Sequence, residues 1–238
     1  MMKKTTVLFD LDGTLLPMDM DLFMKAYFKG LCVKMAPFGY DPDQLVAAVW
    51  AGTKAMITNS GEQTCEEAFW NCFASILGES VREKEPLFAD YYANEFQSVQ
   101  KACGCNPEAA RLVRDLKAAG YRVALATNPL FPPIATESRI RWAGLSPDEF
   151  ELVTTYDNSH YCKPNPAYYQ EILDKLGVTV DECVMVGNDV KEDMVAASKL
   201  GISTFLLTDC ILNKDNLPVN AYPGGSFAQL RAYFNLCE

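Results

Sequence analysis

Near its start the chain carries the stretch Val7-Leu8-Phe9-Asp10-Leu11-Asp12-Gly13-Thr14. Its apolar residues predict a short buried strand that runs into a glycine turn. Because side chains alternate along a strand, Asp10 and Asp12 are expected on the same side of the chain. Two carboxylates crowded at a strand end are unfavourable unless a divalent cation or a reacting phosphoryl group uses their charge. The alternative is structural, with Asp12 and Thr14 serving only to close the turn.

The composition excludes some classes of protein. The chain has 238 residues, of which 49% are hydrophobic, and a formal net charge of -10. This charge argues against nucleic acid as the main partner, since duplex binding needs clustered Lys and Arg. No apolar run is long enough to span a bilayer, and the run after Lys3 and Lys4 stops at Asp10, so no secretory signal is expected. We therefore expect a cytoplasmic protein whose nine cysteines are reduced.

The sequence changes character along the chain. Residues 19 to about 101 have helical periodicity, whereas short apolar segments alternate with amphipathic helices after Gly104. This alternation predicts a parallel sheet that the first strand joins, hence an α/β fold. Residues 1–16 and 105–238 would form the sheet domain, and residues 17–104 an inserted all-helical domain. The later predicted strands are 122–126, 151–155, 184–186 and 204–207, the last of the sheet, and the helices between them are 133–143, 166–176 and 191–200.

Polar residues end the predicted strands, at the edge where parallel sheets bind ligands. Asp10 is a candidate nucleophile toward phosphorus, and Asp12 a candidate acid and base for the leaving group and for water. Thr127 and Asn128 are candidates for holding phosphate oxygens. Lys163 precedes a helix and would balance the negative charge of the reaction, although a lone lysine is more often a solvated surface residue.

Asp189 and Asp193 form the last acidic group. They bracket a turn that opens into a helix, a placement that suits Mg²⁺ held by few carboxylates, by waters and by the substrate. The alternative is that Asp189 caps the helix and that Asp193 lies exposed in its first turn.

Together these segments resemble the four ordered motifs of the haloacid dehalogenase-like (HAD) hydrolase superfamily. The segments are Asp10-Leu11-Asp12-Gly13-Thr14, then Thr127, then Lys163-Pro164, then Gly187-Asn188-Asp189 with Asp193. The resemblance implies a Rossmann-like core and a helical cap of type 1 between residues 17 and 104. The acidic residue at Asp12 is similar to the phosphatases of the superfamily rather than to the dehalogenases.

The resemblance also implies roles for single residues. Mg²⁺ would be bound by the Asp10 carboxylate, the Asp12 main-chain carbonyl and Asp189, with Asp193 supporting the metal site. Thr127 and Lys163 would hold the phosphate.

The function expected is hydrolysis of a small phosphorylated metabolite through an aspartyl-phosphate intermediate. Two alternatives stay open at this point. A phosphomutase or phosphotransferase would pass the phosphoryl group to a second hydroxyl, and a regulatory or binding protein would keep a phosphorylated Asp10 as a switch.

Overall fold

A parallel sheet forms the centre of the molecule in a computed structural model that describes residues 4–236. Its strands are β1 (Thr6–Phe9), β2 (Arg122–Leu125), β3 (Cys183–Gly187), β4 (Ser203–Leu207) and β5 (Gly224–Gly225). Their spatial order is β2-β1-β3-β4-β5, and every pairing is parallel. The predicted α/β fold class is confirmed. The predicted sheet domain also includes residues 1–3, among them Lys3, and residues 237–238. These five residues lie outside the described part of the chain.

After β1 the chain forms a series of helices. They are α1 (Met20–Met35), α2 (Pro42–Ile57), α3 (Cys65–Leu77) and α4 (Glu85–Ala93), with 3₁₀ turns at Ala36–Phe38, Glu79–Lys84 and Glu95–Ala102. Local capping explains their starts, since Asp41 accepts a hydrogen bond from the Gln44 N–H and Thr64 forms a capping box with Glu67. We call residues 17–104 the helical segment. Its two ends lie together, because the Gly104 N–H donates to the Pro17 carbonyl at 2.6 Å.

Helices cover both faces of the sheet. The helices after the helical segment are α5 (Pro107–Ala118), α6 (Pro133–Trp142), α7 (Pro166–Leu176), α8 (Ala196–Leu200) and α9 (Phe227–Tyr233). Val7 and Phe9 pack in the hydrophobic cluster that contains much of the helical segment, whereas Leu8 packs with α7 and α8 on the opposite face. Burial on both faces explains why Val7, Leu8 and Phe9 of β1 form a continuous apolar run. Within residues 4–236 no helix is long and apolar enough to cross a membrane.

Two strand predictions need correction. Residues 151–155 lie beside β2 but do not form a regular strand, since their three backbone hydrogen bonds to Val123 and Leu125 make only one isolated bridge, Leu125 with Val153. The chain then turns away, and the Tyr156 carbonyl accepts a hydrogen bond from the Glu66 N–H of α3 at 2.8 Å. The predicted last strand is followed by β5, which has no apolar run to mark it. Glycine is required there, since a Cβ at Gly224 would lie 2.7 Å from the Leu206 carbonyl oxygen.

The predicted helix 191–200 begins as a wider turn. Residues Val190–Val195 are π-helical, and the regular helix α8 starts only at Ala196. The Met194 N–H accordingly reaches the Asp189 carbonyl, five residues back, at 3.3 Å. A π turn re-aims the side chains of its residues, and here the Asp193 carboxylate points back toward the end of β3.

Candidate active site

The carboxyl ends of β1, β2 and β3 meet at one edge of the sheet. Phe9 pairs with Leu125 on one side and with Val186 on the other. Asp10 follows at once, and its backbone N–H donates to the Val186 carbonyl at 2.9 Å. This register places Asp10 beside the residues that follow β2 and β3, where parallel sheets bind their ligands.

A glycine turn shapes the chain after Asp10. Gly13 has a φ of 84°, and its N–H donates to the Leu16 carbonyl at 2.7 Å. A Cβ at Gly13 would lie 2.3 Å from Asn188 Nδ2, so the turn needs glycine for its backbone conformation and for this close approach. The Thr14 hydroxyl lies 2.9 Å from Asn188 Oδ1 and 3.3 Å from Asp10 Oδ2. The turn therefore joins the ends of β1 and β3.

Lys163 is buried between two carboxylates. It lies in the loop before α7 and is 1% exposed. Its Nζ donates to Asp10 Oδ1 at 2.9 Å and to Asp193 Oδ1 at 2.6 Å. Burial acts to lower the pKa of Lys163, but the two carboxylates outweigh it and hold the pKa well above its ordinary value. The ammonium group therefore stays charged as the counterion of Asp10.

Asp193 connects Lys163 with the turn after β3. Its Oδ2 accepts hydrogen bonds from the backbone N–H groups of Asn188 at 3.1 Å and Asp189 at 2.9 Å. A Cβ at Gly187 would lie 2.1 Å from that oxygen, so glycine makes room for the contact. Asp193 is 1% exposed, and the alternative of an exposed first-turn residue is wrong.

Asp189 is the N-cap residue of the π-helical turn. Its Oδ1 accepts hydrogen bonds from the Lys191 and Glu192 N–H groups, both at 2.8 Å. Capping is thus present in the structure, as the structural alternative predicted. Asp189 also lines the cavity that contains Asp10. Its position is therefore compatible with helix capping and with metal binding.

Asp12 forms an ion pair that sequence reasoning missed. Its Oδ2 accepts a hydrogen bond from Arg139 Nη1 of α6, whereas its Oδ1 is buried without a partner among the described residues. Arg139 is 1% exposed, donates to Thr136 Oγ1 at 3.2 Å and stacks 4.5 Å from the centre of the Phe131 ring. Burial raises the pKa of Asp12, and Asp10 adds to this, while Arg139 opposes it. The sequence did carry one signal for Arg139. It lies one helical turn after Ala135, an apolar residue that is buried in the structure, so both side chains belong on the inward face of α6.

Thr127 and Asn128 follow β2 and line the same cavity. The Thr127 carbonyl accepts hydrogen bonds from Thr154 Oγ1 at 2.6 Å and from the Tyr168 hydroxyl at 2.8 Å, which holds the residue in place. Asn128 Nδ2 donates to Glu192 Oε2 at 3.0 Å, and Asn128 Oδ1 is buried without a partner among the described residues.

Glu192 is a second residue that sequence reasoning missed. It lines the cavity, and burial raises its pKa against the opposing charge of Lys163. The sequence carried no signal for this position, since a glutamate in the first turn of a helix is ordinarily solvated.

A cavity of about 470 Å³ opens onto these groups. Its polar end is lined by residues that follow the strands, which are Asp10, Asp12, Thr127, Asn128, Asn188, Asp189 and Asp193. The helical segment supplies the opposite wall, which is mostly aromatic and includes Phe23, Tyr27, Phe28, Trp50, Phe69, Trp70, Phe88 and Tyr92. The site therefore combines a charged end and an apolar wall.

The polar end suits a hard cation. Asp10 and Asp189 supply carboxylate oxygens, and Mg²⁺ is ordinarily held by one or two carboxylates together with waters and substrate phosphate. The four acidic residues do not form one ready-made cluster: within residues 4–236 no group of three or more His, Cys, Asp or Glu side chains is placed to hold a metal. Asp12 is paired with Arg139, and Asp193 with Lys163. Asp10 also pairs with Lys163, through Oδ1 alone. The donor set fits Mg²⁺ through Asp10 and Asp189.

His160 and the described cysteines do not line the cavity. His160 Nδ1 is 2.8 Å from Glu171 Oε1, and neither residue lines the cavity. The described cysteines are free thiols, and Cys65 Sγ and Cys162 Sγ are buried 3.6 Å apart. Cys237 lies outside the described residues.

Comparison with known proteins agrees with this geometry. The model of the haloacid dehalogenase-like hydrolase family matches residues 4–201, and the chain belongs to that family. A phosphoglycolate phosphatase of Vibrio parahaemolyticus is 30% identical over 206 residues, which cover 85% of this chain and 82% of the relative. A pyrophosphatase PpaX of Bacillus cereus is 27% identical over 203 residues, with coverage of 85% and 82%.

Solved structures share the fold. A HAD phosphatase from Thermococcus onnurineus matches with a TM-score of 0.61 and 19% identity, and the match covers 98% of each chain. An L-2-haloacid dehalogenase, RSc1362, matches with a TM-score of 0.57 and 19% identity over 98% of this chain and 100% of the other. The family predicted from the four motifs is confirmed, as is the prediction of a HAD-type phosphatase, a hydrolase of phosphoric monoesters.

Proposed function

We propose that this phosphatase is Mg²⁺-dependent and hydrolyses a small phosphorylated metabolite through an aspartyl-phosphate on Asp10. The observation that carries the proposal is the pairing of Asp10, at the end of β1, with the buried Lys163, while Asp10 and Asp12 line the same cavity. A carboxylate that is oriented by a buried cation is available for attack on phosphorus.

In the first half of the reaction an Asp10 carboxylate oxygen forms a bond to phosphorus. The bond between phosphorus and the leaving-group oxygen breaks, and Asp12 donates a proton to that oxygen. Burial raises the pKa of Asp12, which favours the protonated form that this step requires. Arg139 orients the Asp12 carboxyl group through Oδ2, so that Oδ1 is left to carry the proton.

In the second half a water molecule attacks the phosphorus of the aspartyl-phosphate. Asp12 accepts the proton of that water, the bond from phosphorus to Asp10 breaks, and inorganic phosphate leaves. Lys163 is the counterion of Asp10 throughout, while Thr127 and Asn128 hold phosphoryl oxygens. Asn128 Oδ1 has no partner among the described residues, and it would accept a hydrogen bond from a protonated phosphate oxygen.

Mg²⁺ would be held by the Asp10 carboxylate, the Asp12 main-chain carbonyl and Asp189. When bound, it neutralises negative charge on the phosphoryl group and on Asp10. Asp193 supports this site from behind, since its contacts are with Lys163 and with the backbone of the turn after β3. The capping bonds of Asp189 orient its carboxylate.

The proposed function also implies a division of the chain into two domains. Residues 1–16 and 105–238 form the catalytic core, and residues 17–104 form a cap that closes over the site, excludes water and selects the leaving group. The adjacent ends of the helical segment, where the Gly104 N–H bonds the Pro17 carbonyl, suit a hinge. We place the enzyme in the cytoplasm.

The test is phosphate release from a panel of phosphomonoesters in Mg²⁺ and in EDTA. Asp10→Asn should abolish phosphate release. The matched control is Asp148→Asn, because Asp148 is exposed and does not line the cavity. Asp12→Ala should leave slow turnover with phosphorylated enzyme, detected by mass spectrometry. Full activity of Asp10→Asn would overturn the nucleophile assignment, and activity that survives EDTA would overturn the metal requirement.

The alternatives give different results in the same assay. A phosphomutase would move the phosphoryl group to a second hydroxyl without net phosphate release. A regulatory protein would accumulate phosphorylated Asp10 and turn over slowly even with Asp12 intact.

A further inference from the structure

We propose that the leaving group of the substrate is uncharged and apolar, of about the size of an arylalkyl group, rather than a carboxylate or a second phosphate. The inference rests on the proposed function, because it concerns the part of the phosphomonoester that faces the helical segment. It assigns to this chain a substrate class unlike those in the names of its phosphoglycolate and pyrophosphate relatives.

The wall that faces the leaving group is apolar over most of its surface. Each of the helices α1 to α4 contributes aromatic side chains to it, exemplified by Tyr27, Trp50, Trp70 and Phe88. Several of these rings also contact each other, and Trp70 and Phe88 meet edge to face with centroids 5.7 Å apart. Aromatic side chains that keep such contacts form a rigid apolar surface.

The hydroxyl groups of the wall already have partners, whereas Trp70 Nε1 is buried without one among the described residues. The Tyr27 and Tyr92 hydroxyls are hydrogen-bonded to each other at 3.0 Å, and the Thr53 hydroxyl donates to the Val49 carbonyl at 2.9 Å. Burial raises the pKa of Tyr27 well above its ordinary value and that of Tyr92 to about 12, so both phenols are neutral near pH 7. The hydroxyls therefore offer little to a polar leaving group, and the Trp70 N–H can donate a hydrogen bond but brings no positive charge to a carboxylate or phosphate.

The helical segment places no cation at the cavity. Among the described lining residues its one charged side chain is Glu85, which is exposed and acidic. Lys34, by contrast, lies away from the cavity and pairs with Asp90 and Glu95. A carboxylate or phosphate buried against this wall would lose its hydration without gaining a counterion.

Outside the helical segment, the cationic side chain among the described lining residues is Lys214, and it lies at the polar end of the cavity. Lys214 lines the cavity from the loop after β4 and is exposed. This loop lies beside Asp189, since Leu212 forms a bridge with that residue. Lys214 is therefore on the side where the phosphoryl group is proposed to bind.

The cavity volume of about 470 Å³ is in the range of sites for compact organic ligands.

The experiment compares esters whose leaving groups differ in polarity. Initial rates are measured for 2-phenylethyl phosphate, ethyl phosphate, 2-phosphoglycolate and pyrophosphate. Burial of the phenyl ring should raise kcat/KM for 2-phenylethyl phosphate about 10–100-fold over ethyl phosphate. The value for 2-phosphoglycolate should fall below that for ethyl phosphate. Calorimetric binding of 2-phenylethylphosphonate and phosphonoacetate gives the same comparison without turnover.

A second experiment places a positive charge in the aromatic wall of the cavity. Thr53→Lys should raise kcat/KM for 2-phosphoglycolate and lower it for 2-phenylethyl phosphate, because it adds a cation to the half-buried lining of α2. The matched control is Thr58→Lys, which adds the same charge at the exposed end of the same helix and should leave the preference unchanged.

The outcomes separate the two proposals. Asp10-dependent hydrolysis that favours 2-phosphoglycolate or pyrophosphate over 2-phenylethyl phosphate would overturn the apolar leaving group and leave the proposed function intact. Absence of hydrolysis of every ester would overturn the proposed function, and the phosphonate affinities would then decide the apolar preference by themselves. Tighter binding of phosphonoacetate would reject it.

Discussion

Replacing Lys163 by Met removes the cation from between two buried carboxylates. Its Nζ lies 2.9 Å from Asp10 Oδ1 and 2.6 Å from Asp193 Oδ1, and the residue is 1% exposed. Loss of one partner from a buried ion pair costs about 3–5 kcal/mol, because the remaining charge has no counterion. In a chain of 238 residues each kcal/mol lowers Tm by about 2–4 °C, so we expect Tm to fall by about 6–20 °C.

The assay is urea and thermal unfolding in EDTA, so that no divalent cation replaces the missing charge. Lys34→Met is the matched control, since Lys34 also lies between two carboxylates but at the surface, where solvent screens the pairs. Its removal should cost less than the removal of Lys163. In an Asp193→Asn background Lys163→Met should also cost less, because only Asp10 is left unpaired.

Two results would refute this reasoning. One is a Lys163→Met protein whose free energy of unfolding lies within about 1 kcal/mol of the parent, since such a change is typical of a solvated lysine. The other is an unchanged cost in the Asp193→Asn background, which would mean that Asp193 and Lys163 are not coupled.

Three further predictions test other contacts of the fold. Arg139→Met should lower kcat about 10–100-fold with little change in KM, because the Asp12 carboxyl loses its orientation; steady-state kinetics that match the parent would contradict this. Gly13→Ala should lower the free energy of unfolding by about 1–3 kcal/mol, because its φ is 84°, and an unchanged urea midpoint would count against it. For Glu149, burial acts to raise the pKa, but hydrogen bonds from Arg114 and a backbone N–H prevail and lower it. Because the folded pKa is then below the unfolded one, the carboxylate stabilises the fold at neutral pH and stops doing so as pH falls through the folded pKa. Glu149→Gln should therefore cost up to about 1 kcal/mol at neutral pH and nothing near pH 2, whereas a cost independent of pH would show that the charge is not responsible.

Local signals predicted much of the secondary structure. The predicted helix 166–176 coincides with α7, which starts where Asn165 accepts a hydrogen bond from the Ala167 N–H and ends at Gly177. The capping box of Thr64 and Glu67 likewise starts α3. Such signals are reliable because a cap and the group that it satisfies are two or three residues apart, so tertiary context changes them little.

Long-range contacts explain what was not predicted. Residues 151–155 have the apolar pattern of a strand, but one bridge to β2 precedes a turn toward α3. Strand β5 consists of two glycines, and it pairs with β4 because the backbones approach closely. Arg139 is 127 residues from Asp12 in the chain, so no spacing rule connects them.

The sequence by itself determined the α/β alternation, the family, and which polar residues follow the strands, because periodicity, caps and the order of the motifs are written along the chain. Only the tertiary structure decided how these residues are paired. It brought Lys163 between Asp10 and Asp193, placed Arg139 against Asp12, and faced them with the aromatic wall of the helical segment. The physical reason is that the pairing of buried charges and the composition of a cavity depend on residues far apart in the chain, which only the folded backbone brings within contact distance.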